Sequence, residues 1–386
     1  MLIISFDSIG DSEFERLMLY PVFNAFSKQC AVYRDVSTVF LSNTYPVHTS
    51  VATGVLPNVH GITSNTEAFP SPNPVWNCNE KMIRAKTIWQ MASQKKIKTA
   101  AVLWPVTAYS KTIRYNIPEV IPRPGKSQIW TSLKAGNPLL QLKMFFRHGK
   151  MLSGFKQPNL DNFSTACMTD ILREKKCGLA LIHLTAYDTL CHENGRNSAE
   201  LETAFQALDK NLSALLDAAG DDDVILFSDH SQVNIHTVVD PNITLSDKGL
   251  INFKDGKYSP GENGCFFECC GGSAFFHSGK LKSDQIDEIR SITKKIEGFS
   301  RFLSSGELYE SGLQYATFGF CAKTGFCYEI TGSQKKGNHG FPLDIPDYSV
   351  FYMVRGCGLK PGSVNHGGSL LDITPLVFRN IQDKNI

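Results

Sequence analysis

The sequence predicts a doubly wound α/β fold, a mostly parallel sheet with helices on both faces, carrying one small α+β insertion. Five short apolar runs read as strands buried on both faces: Leu2 to Phe6, Thr99 to Trp104, Gly178 to Leu184, Val224 to Phe227 and Ser349 to Val354. Amphipathic segments with helix end signals separate them, the alternation of a parallel sheet. A change of rhythm after Gln232 marks the insertion.

In chain order, Leu2 to Phe6 leads into Asp7. The segment Asn116 to Gln128, with Pro118, Pro122 and Pro124, reads as a surface loop. Asn137 and Pro138 open a helix that Gly149 closes. Gly178 to Leu184 is followed by Asp188. Asn197 caps a further helix, with Glu200 three residues on, Leu201, Leu208, Leu212 and Leu215 at helical spacing, and Gly220 at the end. Val224 to Phe227 leads into Asp229. The insertion has a Gly- and Cys-rich strand (Gly272 to His277) and a helix carrying Ile286, Ile289, Ile292 and Ile296. Short strands follow near Phe299 to Leu303, Gln314 to Cys321 and Tyr328 to Ile330. The expected organisation is a core of residues 1–231 and 337–386 with an inserted cap at 232–336.

Composition excludes several classes. The 386 residues are 42% hydrophobic and 20% charged, and 39 Lys and Arg against 37 Asp and Glu leave a net charge of +2. That balance leaves no basic field to mark a nucleic-acid or membrane-surface binder, so neither a nucleic-acid polymer nor a membrane is an expected partner. No apolar run approaches the ~18 residues of a membrane span and no charged leader precedes Leu2, so the expected location is cytoplasmic. Eleven cysteines without paired spacing fit a reducing compartment. Cys265, Cys269, Cys270, Cys321 and Cys327 contain no Cys-x-x-Cys pair and read as small buried hydrophobes rather than a zinc knuckle.

The chemistry sits at strand ends. Asp7, Asp188 and Asp229 end or closely follow core strands, and in open parallel sheets ligands bind beyond those carboxyl ends. Asp188 and His192 have Asp-x-x-x-His spacing, His230 follows Asp229, and His339 lies in Gly337-Asn338-His339-Gly340. Carboxylate plus imidazole is the donor set of a divalent metal ion, and three carboxylates at one sheet edge repel unless cations join them. A hydroxyl just before a helix start lies at its positive end; in Ser42-Asn43-Thr44-Tyr45-Pro46-Val47-His48-Thr49 we favour Thr44 as nucleophile, with Ser42 and Thr49 as bystanders.

At these residues the chain resembles the alkaline phosphatase superfamily, and within it the nucleotide pyrophosphatase/phosphodiesterase branch. The resemblance rests on Phe6-Asp7, Thr44-Tyr45-Pro46-x-His48 leading to Thr53-Gly54 and His60-Gly61-Ile62, Asp188-x-x-x-His192, Ser228-Asp229-His230 and Asn338-His339-Gly340, in the family's order. It implies two divalent ions, taken as zinc: one on Asp188, His192 and His339, the other on Asp7, Asp229, His230 and the Thr44 oxygen. It also implies that Asn65, with a backbone N–H near Thr44, contacts a phosphate oxygen. Ser8, Cys191 and Ser231 depart from glycines of the family pattern.

The implied reaction is attack of Thr44 on phosphorus, through a covalent Thr44 ester, on a small nucleotide-like phosphodiester or pyrophosphate. A phosphomonoesterase or phosphonoacetate-type hydrolase is the second reading, and a metal-binding protein without catalysis the third, disfavoured by the open hydroxyl position. Three carboxylates and a Thr44 alkoxide balance two divalent ions, so a diester is expected to be preferred over a dianionic monoester. Tyr45, Trp104 and Tyr109 are candidates to stack on a base, with core packing the competing role of Trp104; Lys335 and Lys336 are expected in a solvated loop.

Overall fold

A computed structural model describes residues 1–383 except 124, 155, 175–176 and 331. Its main sheet has eight strands. The six that come first in the chain are β1 (Leu2–Phe6), β2 (Ala31–Val36), β3 (Thr99–Val102), β4 (Tyr115–Ile117), β5 (Leu179–Leu184) and β6 (Val224–Ser228). Val350–Arg355 and Val364–His366 complete it, and the order across the sheet is Val364–His366, β2, Val350–Arg355, β6, β1, β5, β3, β4. Within this sheet, among the described residues, only Val350–Arg355 runs antiparallel to both its neighbours.

Alternate side chains of the central strands enter two different cores, which is why these runs are apolar throughout rather than alternating. Leu2, Ile4, Ile182 and Leu226 pack with Met168, Phe205, Leu208 and Leu212 on one face. Ile3, Leu181, Ile225 and Phe227 pack with Val47, Val51, Trp89 and Val377 on the other. β1 lies between β5 and β6, in register Phe6↔Leu184 and Phe6↔Ser228. The chain therefore delivers Asp7, Thr185 and Asp229 side by side at one sheet edge, where strand order reverses around β1.

Helix Pro138–His148 begins as its sequence requires, with Asn137 accepting from the Leu140 N–H at 3.1 Å. The other capped helix starts later than expected: it runs Leu201–Ala219, with Glu200 rather than Asn197 at the cap position. The Arg196 N–H is bonded to Asn234 Oδ1 at 2.6 Å and its guanidinium reaches Glu13, so tertiary ties hold 195–199 outside the helix. Nor is Asn116 to Gln128 wholly a surface loop. Tyr115–Ile117 forms the sheet edge, Asn116 is buried with its amide donating to Thr107 O at 2.7 Å, and Glu119 faces inward; Pro124 lies outside the described residues.

Between Gln232 and Lys336, the strands Phe266–Cys270, Ser273–His277, Phe318–Ala322 and Phe299–Phe302 form an antiparallel sheet with its own core of Phe267, Phe276, Phe318, Phe320 and Tyr328. Of the helices there, the one expected from its isoleucines is Ser283–Thr293, leaving Ile296 beyond its end; Asn242–Asp247 and Ser305–Glu310 are additional, and the last strands begin at Phe318 and Phe326. The hairpin turn Cys270–Ser273 presses onto the core. The Gly272 N–H donates to His339 O at 2.8 Å, and a Cβ on Gly271 would lie 2.2 Å from that oxygen, so only glycine fits.

Candidate active site

The edge of the sheet opens into a cavity of about 430 Å³ lined by Asp7, Thr44, Asn65, Asp188, His192 and His339 among others. Asp229 and His230 are fully buried beneath it. Two donor clusters result, each with its ligand atoms within 4.8 Å of one another: Asp188, His192 and His339, and Asp7, Asp229 and His230. Thr44, first residue of helix Thr44–Thr53, puts Oγ1 3.4 Å from His230 Nε2.

The imidazoles are oriented by what their Nδ1 atoms touch. His192 Nδ1 lies 2.7 Å from Gly337 O, His230 Nδ1 3.3 Å from Ser231 O and His339 Nδ1 2.8 Å from Asn43 Oδ1. Each contact is an acceptor, which assigns the Nδ1–H tautomer and leaves Nε2 with a free lone pair. Asn43 occupies the N-cap position of Thr44–Thr53 without capping it, because its side chain is turned to His339. Burial holds His192 below the usual imidazole range and His339 well below it, keeping both neutral as ligation requires.

The carboxylates lack the partners that their charged forms would need. Asp229 Oδ1 accepts the Ser8 and His230 N–H groups, both at 2.9 Å, whereas Asp229 Oδ2 and Asp7 Oδ1 are buried with no hydrogen bond among the described residues. Burial, followed by the Asp188 and Asp229 charges, pushes Asp7 well above the usual carboxyl range; burial also raises Asp229. Unsatisfied carboxyl oxygens gathered with neutral imidazoles are a donor set that fits divalent cations.

Several contributors escape the sequence. Gln232 donates to Asp188 Oδ1 at 2.6 Å and Ser8 Oγ at 3.1 Å, tying both clusters together. Asp161 accepts from the Thr185 and Ala186 N–H groups and so fixes the turn that carries Asp188. His183 Nε2 lies 3.1 Å from Asp7 Oδ2 and its Nδ1 3.8 Å from Glu119 Oε2, close but bent away from hydrogen-bond geometry. Burial alone would lower His183; Asp7 and Glu119 outweigh it and hold the ring well above the ordinary value. His48, His183 and Asp229 form a third possible donor group, but His48 Nδ1 is taken up by Thr44 O at 2.8 Å, so it braces the first turn of helix Thr44–Thr53. The one signal in the sequence was a histidine inside the apolar run of β5.

Other expectations need correction. Asn65 lines the cavity with its Oδ1 accepting the Tyr45 N–H at 2.8 Å, so among the backbone N–H groups near Thr44 that of Tyr45 is already engaged. Trp104 is fully buried against His48 and Phe227, Tyr109 is exposed outside the cavity, and the aromatic beside Tyr45 in the cavity wall is Trp76. Lys336 is exposed as expected, but Lys335 is only half-buried in the cavity wall rather than free in a loop, its ammonium 2.9 Å from Glu329 Oε1. The five insertion cysteines are free thiols, and no metal donor group among the described residues includes a cysteine. Ser8 holds φ at 66°, the left-handed conformation for which glycine is the easy choice.

Residues 1–300 match the family model described as type I phosphodiesterase / nucleotide pyrophosphatase. The rat protein called ectonucleotide pyrophosphatase/phosphodiesterase family member 1 is 23% identical over 225 residues, 55% of this chain and 21% of its own length. The chain thus aligns with about a fifth of that relative. Among solved structures, murine ectonucleotide pyrophosphatase / phosphodiesterase 5 in complex with AMP has a TM-score of 0.68 at 16% identity, covering 99% of this chain and 94% of that one. Phosphonoacetate hydrolase from Sinorhizobium meliloti, in complex with phosphonoacetate, has a TM-score of 0.66 at 16% identity, with 99% and 94% covered.

Proposed function

The chain belongs to the type I phosphodiesterase / nucleotide pyrophosphatase family, and we propose on that premise that it hydrolyses small nucleotide-like phosphodiesters or pyrophosphates through Thr44. The observation that carries this reading is the pairing of two carboxylate–imidazole clusters around one hydroxyl at a helix N-terminus. Asp188, His192 and His339 would hold one divalent ion, and Asp7, Asp229, His230 and Thr44 the other, with zinc the expected metal. Such ions supply a lowered hydroxyl pKa and neutralise charge on the leaving oxygen. Thr44 Oγ1 attacks phosphorus, the leaving alcohol departs, and water cleaves the Thr44 ester. Asn65, its oxygen anchored on Tyr45, offers its NH₂ to a non-bridging phosphate oxygen. The insertion at 232–336 acts as a cap, supported by the cavity-wall positions of Cys269, Cys270, Glu329 and Lys335.

Charge favours the diester. The cavity's one lysine is paired with Glu329, so no net positive charge is spare for a dianionic monoester. Lys335 is also the observation that favours the second reading, since an ammonium beside the Asp188 cluster suits the carboxylate of a phosphonoacetate-type substrate. The test is kcat/KM of zinc-loaded protein on p-nitrophenyl thymidine monophosphate, p-nitrophenyl phosphate and phosphonoacetate at one pH. The diester should lead; a lead for either other substrate overturns the first reading.

A further inference from the structure

The near-zero net charge conceals a local imbalance. Residues 111–156 hold nine of the 39 Lys and Arg but one acidic residue, Glu119, a net +8; the remainder, with 30 basic and 36 acidic residues, carries −6. Some of this charge is spent on a neighbouring helix: Lys143 pairs with Glu174 at 2.5 Å and Arg147 with Asp170 at 2.8 Å. Arg123, Lys126, Lys134, Lys150 and Lys156 are exposed and have no acidic partner among the described residues.

The same stretch exposes large apolar side chains. Helices Gln128–Ala135 and Pro138–His148 are consecutive and in contact, and they present Ile129, Trp130, Leu139, Leu142, Phe145 and Phe146 to solvent, with Trp130 65% and Phe146 83% exposed. On Pro138–His148 the residues Leu139, Leu142 and Phe146, spaced i, i+3, i+7, form one stripe; Gln141 and Met144 on the opposite side are buried. The packing that stabilises this helix is thus already met by its inner side, and the outer stripe is surplus to the fold. Scattered exposed apolar residues are ordinary; a clustered set flanked by lysines and arginines is not.

We propose that the outer face of these two helices docks on an anionic phospholipid bilayer, lying in its interface. Aromatic and aliphatic side chains enter the headgroup boundary while the surrounding Lys and Arg meet lipid phosphate and carboxylate, the composition of an interfacial amphipathic helix. Charge selects this occupant, because an excess of positive charge around apolar residues complements an anionic lipid surface and repels a second copy of the same face. No helix among the described residues is long and apolar enough to cross a membrane, so the contact is made from one side.

The test is flotation of the full chain with phosphatidylcholine vesicles containing none or about 30% phosphatidylserine. Binding should require phosphatidylserine at about 0.1 M salt and be lost at about 0.5 M. Trp89 and Trp104 are fully buried and Trp130 exposed, so binding should also shift the emission to the blue. Lys126→Gln with Lys150→Gln should weaken partition roughly thirtyfold, taking ~1 kcal/mol per charge, and Phe146→Ser roughly tenfold or more. Hydrolysis of a soluble diester should be unchanged in both variants, which separates this proposal from the catalytic one. No binding at low salt, or equal binding by the variants, overturns it. So does a dimer dispersed by Phe146→Ser, which would assign the face to a second copy.

Discussion

Asp7→Asn should have opposite effects on stability with and without metal. In the metal-free chain the ligand oxygens of Asp7 and Asp229 lie within 4.8 Å, and each residue has a buried oxygen without a hydrogen bond. Two unit charges at that separation repel by about 3 kcal/mol at an effective dielectric constant of about 20. At ~2.1 cal/mol/K of unfolding entropy per residue over 386 residues, relief of that repulsion raises Tm by about 4 °C. His183, whose pKa burial lowers once the Asp7 charge is gone, turns neutral rather than staying as an unpaired cation. The sign with pH follows from the raised folded-state pKa of Asp7. The folded chain binds protons more tightly than the unfolded one, so the parent is relatively stable below the unfolded value near 3.9 and loses that stability as pH rises through the folded value. The gain from Asp7→Asn should therefore be largest at alkaline pH and vanish in acid. With zinc present the variant lacks one ligand and should melt below the parent. Differential scanning calorimetry with chelator and with zinc, across pH, reads all of this. A destabilised Asp7→Asn in chelator at pH 8 would refute the idea that these carboxylates are held apart from cations at a cost.

Thr44→Ala should lower turnover by about a thousandfold or more with metal content intact, whereas Thr44→Ser keeps part of the rate; metal analysis beside steady-state kinetics checks both. Elemental analysis should find close to two divalent ions per parent chain, and His192→Ala should bring this towards one, removing a donor that Gly337 O orients. Lys335→Met leaves Glu329 without the partner 2.9 Å away, so kcat/KM should fall for the monoester about tenfold further than for the diester. An unchanged ratio would remove Lys335 from substrate recognition.

The parts of the site that could be read from sequence are those that fall at ends of regular elements. Asp7 and Asp229 close strands whose apolar runs are continuous, and Asn137–Pro138 announces a helix by local bonding alone. What could not be read depends on long-range packing. Glu119 comes from a proline-rich stretch with no periodic pattern, and only the edge strand Tyr115–Ile117 carries it to His183. Asn197 has the residue type of a cap, yet the Arg196–Asn234 bond overrides it. Lys335 looked solvated because nothing local showed that Glu329 would wait for it in the cavity wall. The basic, apolar face of 121–151 was lost in whole-chain averages.

The hairpin pressed onto His339 makes assembly of the site a late event in folding. Asp7 comes from the start of the described chain, whereas His339 lies 332 residues further on and is bonded through its backbone to Gly272, in the hairpin of the sheet around Phe267 and Phe320. Closing so long a loop is slow, because its entropy is lost before the contacts that repay it exist. The Gly272 amide, bonded to His339 O, therefore reports local opening of the hairpin as proton exchange with solvent. Ions bound to His339 would couple that opening to loss of a ligand, so occupancy of the site should be felt as slower exchange at the Gly272 amide.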